Sequence, residues 1–326
     1  MKIAIVGCGA LGSYYGSRLH RAGEEVHFLL RSDFHHVRRH GISITSPQGD
    51  FHIHPRTARD PAQIGPSDLV LIGLKTTAND QLFRLLPPLL HSGTIVLSLQ
   101  NGLGNIERLE GWVCREQVLG GLCFICVNRS NPGEIRHRDH GQIVIGEAKG
   151  WPEPRTHDIA ARFRSAGVPC KVTDNLQQSQ WEKLVWNIPF NGLGVAGAFG
   201  YPFFDSTEHD LPDITPHALT TNQLLEDRNW LVCVRDLMAE IIDAANRKGV
   251  FISNALVDKM IQNTRSMRDY HPSTVIDFIL GRPLEYRSMF ELPFQQAAQT
   301  GASLPRLSRL CSILRRIIAH PPKTSH

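Results

Sequence analysis

The order of apolar and polar residues divides the chain into a first half with strands and a second half without them. In the first half, short and almost continuous apolar runs alternate with helical periodicity, as in a parallel sheet buried on both faces. We expect this half to end with short strands over residues 134–147, joined by a turn at His140-Gly141, and a helix over 156–165. The apolar runs predict strands at Lys2–Val6, 25–31, 68–75 and 94–99, with a helix over 79–90.

After Val172 the strand pattern disappears and helical periodicity takes over. A stretch rich in proline, aspartate and aromatic residues, 199–216, is predicted to be a loop within this half. The chain therefore predicts an α/β domain over residues 1–175 and an all-α domain over residues 176–326. Within the all-α domain, helices are predicted over residues 179–191, 229–248, 254–267 and 290–298.

The first predicted strand runs directly into a glycine-rich turn and then into a helix. In the spacing G-x-G-x-x-G, Gly7 permits the tight turn, Gly9 lets the backbone approach phosphates, and Gly12 lets the helix pack closely on the strand. The N–H groups and the dipole of the helix N-terminus then face the anion. This order predicts a Rossmann-type, doubly wound domain that binds a dinucleotide through Gly7, Cys8, Gly9, Ala10, Leu11 and Gly12.

The end of the second predicted strand indicates which dinucleotide is bound. Sites for NAD usually place a carboxylate there, which accepts hydrogen bonds from the ribose 2′-hydroxyl, whereas sites for NADP place a cation that pairs with the 2′-phosphate. Arg31 lies at this tip, with Ser32 behind it, and favours NADP or NADPH. Asp33 lies two residues beyond Arg31 and leaves NAD open as the alternative.

Composition and charge narrow the class of partner. Of the 326 residues, 41% are hydrophobic and 20% are charged, and the formal net charge is +4. No run of Lys and Arg marks a nucleic-acid binder, and no apolar stretch approaches the ~20 residues of a membrane span. A strand begins at the second residue, so we expect no signal peptide. These properties favour a small anionic ligand and no membrane or nucleic-acid partner.

The seven cysteines are scattered through apolar segments, which predicts reduced, mostly buried thiols and a cytoplasmic protein. Cys123-x-x-Cys126 has the spacing of a redox or metal pair, but it lies within the apolar run 118–127, and no second pair completes a zinc site. We interpret both cysteines as core residues of a strand and expect no metal. The histidines around His137 and His140 alternate with charges and predict a solvated face.

Polar residues at two predicted strand ends and along one predicted helix form a candidate site. Lys75 ends one strand and Asn101 follows another, at the carboxyl ends where doubly wound sheets bind ligands. Lys183, Asn187 and Asn191 have the spacing i, i+4 and i+8, which places them on one stripe of a helix that is otherwise apolar. A lysine and two amides are suited to protonating a carbonyl oxygen and to binding substrate oxygens.

Together these motifs resemble those of the ketopantoate reductase (2-dehydropantoate 2-reductase) family. The resemblance covers essentially the whole chain, with the motifs in the right order. It implies a Rossmann domain followed by an all-α domain like the C-terminal domain of 6-phosphogluconate dehydrogenase. The motifs that carry it are GCGALG, Leu74-Lys75, Gln100-Asn101-Gly102, WEKLVWNIPFN, and Pro272-Ser273 with the later Gly281-Arg-Pro-Leu-Glu285.

The resemblance also implies roles for individual residues. Lys183 matches the family's catalytic lysine, the general acid that protonates the carbonyl oxygen as hydride arrives at C2. Glu285 matches an acid that hydrogen-bonds to the substrate hydroxyl or to the cofactor. Ser273 matches a carboxylate-binding serine, although its sequence position is equally suited to a helix N-cap. The implied substrate contacts are Asn101, Lys183, Asn187, Asn191 and Ser273, and the implied cofactor contacts beyond the glycine loop are Arg31, Lys75, Asn101, Cys126 and Glu285.

The implied activity is the NADPH-dependent reduction of 2-dehydropantoate (ketopantoate) to pantoate, within pantothenate and coenzyme A biosynthesis. The apolar helices of the second half predict either a homodimer interface or an internal core. The chain is longer than compact family members around residues 199–221, and residues 192–197 offer no further amide to a substrate. Two alternatives therefore stay open: a reductase of another 2-oxo acid or carbonyl compound, and an NADPH-binding regulator without turnover.

Overall fold

The computed structural model describes residues 1–208, 210–267 and 269–321, and the chain divides into two compact units, residues 1–176 and 177–326. The apolar runs of the first unit form the predicted strands, together with shorter ones. In chain order these are β1 (Lys2–Val6), β2 (Glu25–Leu29), β3 (Ile42–Thr45), β4 (Phe51–Ile53), β5 (Arg56–Ala58), β6 (Leu69–Ile72), β7 (Ile95–Ser98), β8 (Val118–Asn131), β9 (Glu134–Glu147) and β10 (Cys170–Val172).

Within the described residues, these ten strands form one sheet in the order β4-β3-β9-β8-β7-β6-β1-β2-β5, with β10 beside β9. β1 pairs in parallel with β2 and with β6, and parallel pairing continues to β5 on one side and to β7 and β8 on the other. The strand order reverses at β1, which is the switch point where doubly wound sheets bind ligands. The predicted Rossmann-type fold class is confirmed.

Helices cover both faces of this sheet. Ile3 and Ile5 of β1 belong to one apolar cluster, and Ala4 and Val6 belong to a second. Because alternate residues of a strand point to opposite faces, each cluster is the core of one face. The helices of the first unit are α1 (Ala10–Arg21), α2 (Phe34–His40), α3 (Pro61–Ile64), α4 (Leu82–Leu85), α5 (Asn105–Leu109) and α6 (Pro154–Ser165).

The continuous helix predicted over residues 79–90 is wrong. The segment between β6 and β7 instead contains the short α4, with 3₁₀ turns at Thr76–Gln81 before it and Pro87–Leu89 after it. The consecutive prolines Pro87 and Pro88 lack the N–H groups that an α-helix would need there, so the helix ends at Leu85.

The short strands and turn predicted over residues 134–147 are also wrong, because β9 is one continuous strand. It pairs with β8 in antiparallel orientation, and the register shifts where Ile125 of β8 faces His140. His140 and Gly141 have positive φ angles of 63° and 119°, so they form a β-bulge within the ladder rather than a reversal of the chain.

The prediction of a solvated histidine face holds for His140, which is exposed, but is wrong for His137, which is 3% exposed. The Nδ1 atom of His137 lies 2.8 Å from Ser46 Oγ, and its Nε2 atom lies 3.0 Å from the carbonyl oxygen of Asp139. Its ring packs against Tyr14, with 4.6 Å between the ring centroids. Burial lowers the pKa of His137, so this residue is a neutral packing element of the core.

The second unit is helical. The helices predicted over 179–191, 229–248 and 254–267 are confirmed, and the helix predicted over 290–298 begins as a π-helical turn, Arg287–Glu291. No helix of the described ranges combines the length and the apolar character that crossing a membrane requires. The helices are α7 (Leu176–Ala196), α8 (Tyr201–Asp205), α9 (Thr221–Glu226), α10 (Arg228–Arg247), α11 (Ala255–Arg265), α12 (Ser273–Ile279), α13 (Leu292–Ala298) and α14 (Pro305–Ala319).

The predicted loop over residues 199–216 contains α8 and is partly a core element. Phe203 and Phe204 of α8 are buried, and the Phe204 ring lies 5.4 Å from the ring of Trp230 in α10. The aromatic residues contributed to the prediction of a loop here. In the structure, the buried rings of Phe203 and Phe204 anchor the segment.

The central helix α7 continues past Pro189 to Ala196 because its glycines admit close neighbours. A Cβ atom on Gly192 would lie 2.6 Å from Leu310 Cδ2, and one on Gly194 would lie 2.5 Å from Val275 Cγ2. The Nε1 atom of Trp186 also donates a 2.8 Å hydrogen bond to Thr264 Oγ1 of α11. These contacts fix α7, which carries three of the predicted site residues.

Candidate active site

The loop between β1 and α1 has the geometry of a dinucleotide-binding loop. Gly7 has a φ of 98°, and a Cβ atom there would overlap the backbone of Leu74. A Cβ atom on Gly12 would overlap the carbonyl oxygen of Gly7, whereas one on Gly9 would meet no atom within 4 Å. Gly9 is the N-cap of α1, and the first turn of the helix has no acidic residue, so its N–H groups suit an anion. The loop therefore fits a pyrophosphate.

Cys8, inside this loop, is a packing residue. Its Sγ atom donates a 3.3 Å hydrogen bond to the carbonyl oxygen of Leu29. Burial, and after it the negative charge of Asp33, raise the pKa of the Cys8 thiol well above its usual range. A thiol that stays protonated is a poor nucleophile, so Cys8 is suited to shaping the loop and not to reacting there.

The tip of β2 carries an exposed arginine and a buried aspartate. Arg31 is exposed, whereas Asp33 is 5% exposed. Both carboxylate oxygens of Asp33 accept hydrogen bonds from Arg129 Nη1, at 2.9 and 2.8 Å, and Ser32 Oγ donates to Oδ1 at 2.8 Å. Asp33, which kept NAD open at the level of sequence, is therefore already engaged within the protein. The sequence analysis missed Arg129, which is remote from Asp33 along the chain.

Lys75 and Asn101 lie at neighbouring strand ends, as expected. Lys75 is exposed beyond β6, and Asn101 is half-buried beyond β7. β6 and β7 are parallel neighbours, with Ile72 paired to Ser98, so their carboxyl ends lie at one edge of the sheet. β1 pairs with β6, so the glycine loop follows a strand end at this same edge.

A network of amide side chains, which the sequence analysis did not identify, holds this edge. Gln100 Nε2 donates to the carbonyl oxygen of Leu74 at 2.9 Å and to Asn79 Oδ1 at 2.6 Å. Asn79 Nδ2 donates to Asn105 Oδ1 at 3.3 Å, and Asn105 Nδ2 donates to the carbonyl oxygen of Asn101 at 3.0 Å. The network therefore fixes the backbone segments that follow β6 and β7, at Leu74 and Asn101.

Cys126 lies on β8, where its ladder partner is Asp139 of β9. Cys123 and Cys126 are 8% and 6% exposed, so their assignment to a buried strand is confirmed. All seven cysteines fall within the described residues, and five are buried, which confirms that they are mostly buried. Among the described residues, no group of three or more His, Cys, Asp or Glu side chains is arranged to hold a metal ion.

Lys183, Asn187 and Asn191 follow one another at four-residue intervals along α7 in the second unit. Lys183 is half-buried, Asn187 is 6% exposed and Asn191 is 2% exposed. The polar stripe therefore runs from the partly accessible lysine into the interior of the unit. Its neighbours Leu184 and Val185 are buried, so the stripe lies on a packed helix as predicted.

Asn191 joins α7 to the start of α12. Its Oδ1 atom accepts a hydrogen bond from Thr274 N at 3.0 Å and one from Ser273 Oγ at 3.5 Å. The N-cap of α12 is Pro272, which has no side chain that could accept these hydrogen bonds. The alternative in which Ser273 is itself the N-cap is therefore wrong, because Ser273 is the first helical residue. Ser273 is exposed.

We expect Asn191→Ala to lower the free energy of unfolding by about 1–3 kcal/mol, because the Thr274 N–H group, in a residue that is 3% exposed, would lose its acceptor. Chemical denaturation measures this change. Asn254→Ala is the matched control, since Asn254 is exposed at the start of α11 and its side chain makes no capping hydrogen bond. Equal stabilities for the two variants would contradict the role of Asn191.

Glu285 lies two residues before the π-helical turn of the second unit and is 8% exposed. Its carbonyl oxygen accepts hydrogen bonds from Met289 N at 3.1 Å and from Ser288 Oγ at 3.3 Å. This turn holds the backbone of the acidic residue, and π-helical turns of this kind are frequent at functional sites. A buried carboxylate beside such a turn is suited to hydrogen bonding with a bound molecule.

The fold and these side chains define a dinucleotide-dependent oxidoreductase with a helical second domain. Two family models match the chain: ketopantoate reductase PanE/ApbA over residues 3–150, and ketopantoate reductase PanE/ApbA C terminal over residues 217–318. The chain belongs to the ketopantoate reductase family, and its cofactor is a nicotinamide dinucleotide.

Individual relatives agree with this assignment. A 2-dehydropantoate 2-reductase from Nostoc sp. (strain PCC 7120) is 36% identical over 315 residues, which are 95% of this chain and 92% of the relative. The crystal structure of 2-dehydropantoate 2-reductase from Geobacter metallireducens GS-15 is 42% identical, with a TM-score of 0.89, and the match covers 97% of this chain and 99% of that one. A D-mandelate dehydrogenase solved with NADH and anilino(oxo)acetate shares the fold at 19% identity and a TM-score of 0.84, over 98% of this chain and 99% of that one.

Proposed function

We propose that the protein catalyses the NADPH-dependent reduction of 2-dehydropantoate to pantoate. The observation that carries the proposal is the stripe of Lys183, Asn187 and Asn191 on α7, because a carbonyl reductase needs a proton donor and amide donors for the substrate oxygens. The names of the relatives from Nostoc and Geobacter metallireducens support 2-dehydropantoate as the substrate.

The domain over residues 1–175 is proposed to bind NADP or NADPH. The loop from Gly7 to Gly12 would hold the pyrophosphate, and Arg31 would pair with the 2′-phosphate. The engagement of Asp33 by Arg129 favours NADP over NAD. When bound, the reduced nicotinamide supplies the hydride that adds to C2 of the substrate. Further cofactor contacts are proposed at Lys75, Asn101, Cys126 and Glu285.

The domain over residues 176–326 is proposed to supply the proton and most of the substrate contacts. Lys183 acts as the general acid and transfers its proton to the carbonyl oxygen as negative charge develops there. The Oδ1 atom of Asn191 is engaged at Thr274, so the Nδ2 group of Asn191 is the end that donates to a substrate oxygen. Glu285 hydrogen-bonds to the substrate hydroxyl or to the cofactor. The substrate contacts are proposed at Asn101, Lys183, Asn187, Asn191 and Ser273.

A homodimer through the helical domain is the proposed assembly. The ketopantoate reductase from Staphylococcus aureus, which has this fold, is described as dimeric. In this chain, Val232 and Phe251 expose 46% and 78% of their surface on that domain. A cytoplasmic location is proposed because the seven thiols suit a reducing compartment. Light scattering on the purified protein decides between twice the chain mass of 36.5 kDa and the chain mass itself.

The rate of NADPH oxidation with 2-dehydropantoate tests the proposed reaction, with NADH and a panel of other 2-oxo acids measured in parallel. Rapid oxidation of NADPH with 2-dehydropantoate alone supports the proposal. Faster turnover of an aromatic 2-oxo acid would contradict it and favour a reductase of another substrate, for which the D-mandelate dehydrogenase shows that the fold is suited. Binding of NADPH without turnover of any oxo acid would favour a regulator.

A further inference from the structure

The ion pair of the buried Asp33 with the partly exposed Arg129 has no role in hydride transfer itself. The side chain of Asp33 is 7% exposed and that of Arg129 is 38% exposed. Arg129 comes from β8, 96 positions after Asp33, and its Nη1 atom contacts both carboxylate oxygens. Asp33 is the N-cap residue of α2, yet its side chain makes no capping hydrogen bond, because the carboxylate is bound to Arg129 and Ser32 instead. The pair is therefore specific in its geometry.

The position of Asp33 connects this pair with the choice between NADH and NADPH. Asp33 follows β2, the parallel neighbour of β1, and its charge acts on Cys8 in the glycine loop. A carboxylate with unengaged oxygens at this place would accept hydrogen bonds from the ribose hydroxyls of NADH and would repel the 2′-phosphate of NADPH. Arg129 counters both effects, because it neutralises the charge and engages both oxygens.

The surroundings of the pair are cationic. The guanidinium groups of Arg38 and Arg59 lie over the ring of Phe34, the residue after Asp33, at 5.8 and 5.6 Å from the ring centroid. Arg31 is exposed two residues before Asp33. With Asp33 neutralised by Arg129, the tip of β2 presents positive charge, which attracts a phosphate.

We propose that Arg129 sets the preference for NADPH over NADH by pairing with the negative charge of Asp33. Arg129 is thus a positioning residue that acts through Asp33, whereas Arg31 is the cation that meets the 2′-phosphate directly. The inference rests on the proposed use of NADPH. Because it concerns the choice of cofactor, it is measurable as cofactor binding, independently of any substrate.

The test compares the dissociation constants of NADPH and NADH, by nucleotide fluorescence, for the wild type, Arg129→Gln, Asp33→Asn and the double variant. Arg129→Gln is expected to lower the preference for NADPH by about tenfold or more, since it leaves the charge of Asp33 unpaired, with Ser32 as its remaining hydrogen-bond donor. The double variant is expected to recover a preference within about threefold of the wild type, because the repelling charge is then gone. A merely structural role for Arg129 would not produce this recovery.

Two control variants complete the test. Arg136→Gln removes an exposed arginine of the adjacent strand β9 and is expected to leave the preference unchanged. Arg129→Lys retains a charge beside Asp33 and is expected to keep most of the preference. If Arg129→Gln does not fold, Arg129→Ala takes its place, with the same expected loss and the same expected recovery when it is combined with Asp33→Asn.

Three results would overturn the inference: a folded Arg129→Gln variant with an unchanged preference, a double variant as impaired as Arg129→Gln, or a wild type that binds both cofactors equally. Failure of the proposed reaction would give a different pattern of cofactor binding and turnover. In that case the wild type would still bind NADPH more tightly than NADH but would not oxidise it with 2-dehydropantoate.

Discussion

Replacement of Lys183 by alanine is expected to lower kcat by about 10²–10⁴-fold, because general acid catalysis typically contributes that much to a rate. In the proposed reaction the lysine donates the proton that neutralises the developing alkoxide, and alanine has no donor to replace it. The dissociation constant of NADPH is expected to stay nearly unchanged, since the proposed dinucleotide loop lies in the other unit. Steady-state rates at saturating NADPH, together with fluorescence titration of NADPH, measure the two effects separately.

Lys171→Ala is the matched control for this variant, because Lys171 is an exposed lysine on β10 that is not among the proposed site residues. It should retain the wild-type kcat. Lys183→Arg is expected to remain severely impaired, since a guanidinium keeps the charge but does not release its proton at neutral pH. An alanine variant that keeps more than about a tenth of the wild-type kcat would refute the role of Lys183 as the general acid.

Replacement of Gly7 by alanine is expected to abolish dinucleotide binding and to destabilise the first unit. At this position φ is 98°, and the added Cβ atom would lie 2.6 Å from the carbonyl carbon of Gly73, which is backbone and cannot rotate away. The loop would have to move off β6, and the N–H groups of α1 would move with it. Calorimetric titration of NADPH and chemical denaturation measure the two losses.

Gly23→Ala is the control that distinguishes the steric clash expected for Gly7→Ala from the strain of a positive φ alone. Gly23 has nearly the same φ, 93°, but a Cβ atom there would meet no atom within 4 Å. This control should cost only the strain of a positive φ, about 1–2 kcal/mol, and should leave NADPH binding intact. If Gly7→Ala and Gly23→Ala lost the same stability and the same affinity for NADPH, the close approach of the loop to the segment after β6 would not be required for dinucleotide binding.

The sequence was most informative where function depends on local spacing. The glycine loop needs three glycines within six residues, and the stripe on α7 needs polar residues at helical intervals, so both are visible without any knowledge of the fold. To predict that Lys75 and Asn101 share a site, one further rule is needed: the carboxyl ends of parallel strands meet at one edge of the sheet. Each of these positions follows from a short stretch of chain.

The features that the sequence did not reveal depend on contacts between distant segments. The pairing of Asp33 with Arg129 spans 96 positions, so no local pattern connects the two residues. The capping of α12 by Asn191 depends on how α7 and α12 pack. Likewise, the helix predicted over residues 179–191 stops short of the observed end, because the packing of Gly192 and Gly194 against their neighbours carries α7 to Ala196.

The central claim is that hydride moves from the nicotinamide to C2 of 2-dehydropantoate. NADPH with deuterium at both C4 positions of the nicotinamide, incubated with the protein and 2-dehydropantoate, tests this transfer, with the product analysed by NMR and mass spectrometry. Hydride transfer to C2 yields pantoate that carries deuterium at C2. Pantoate without deuterium at C2, or recovery of unreacted 2-dehydropantoate with NADPH bound, would contradict it.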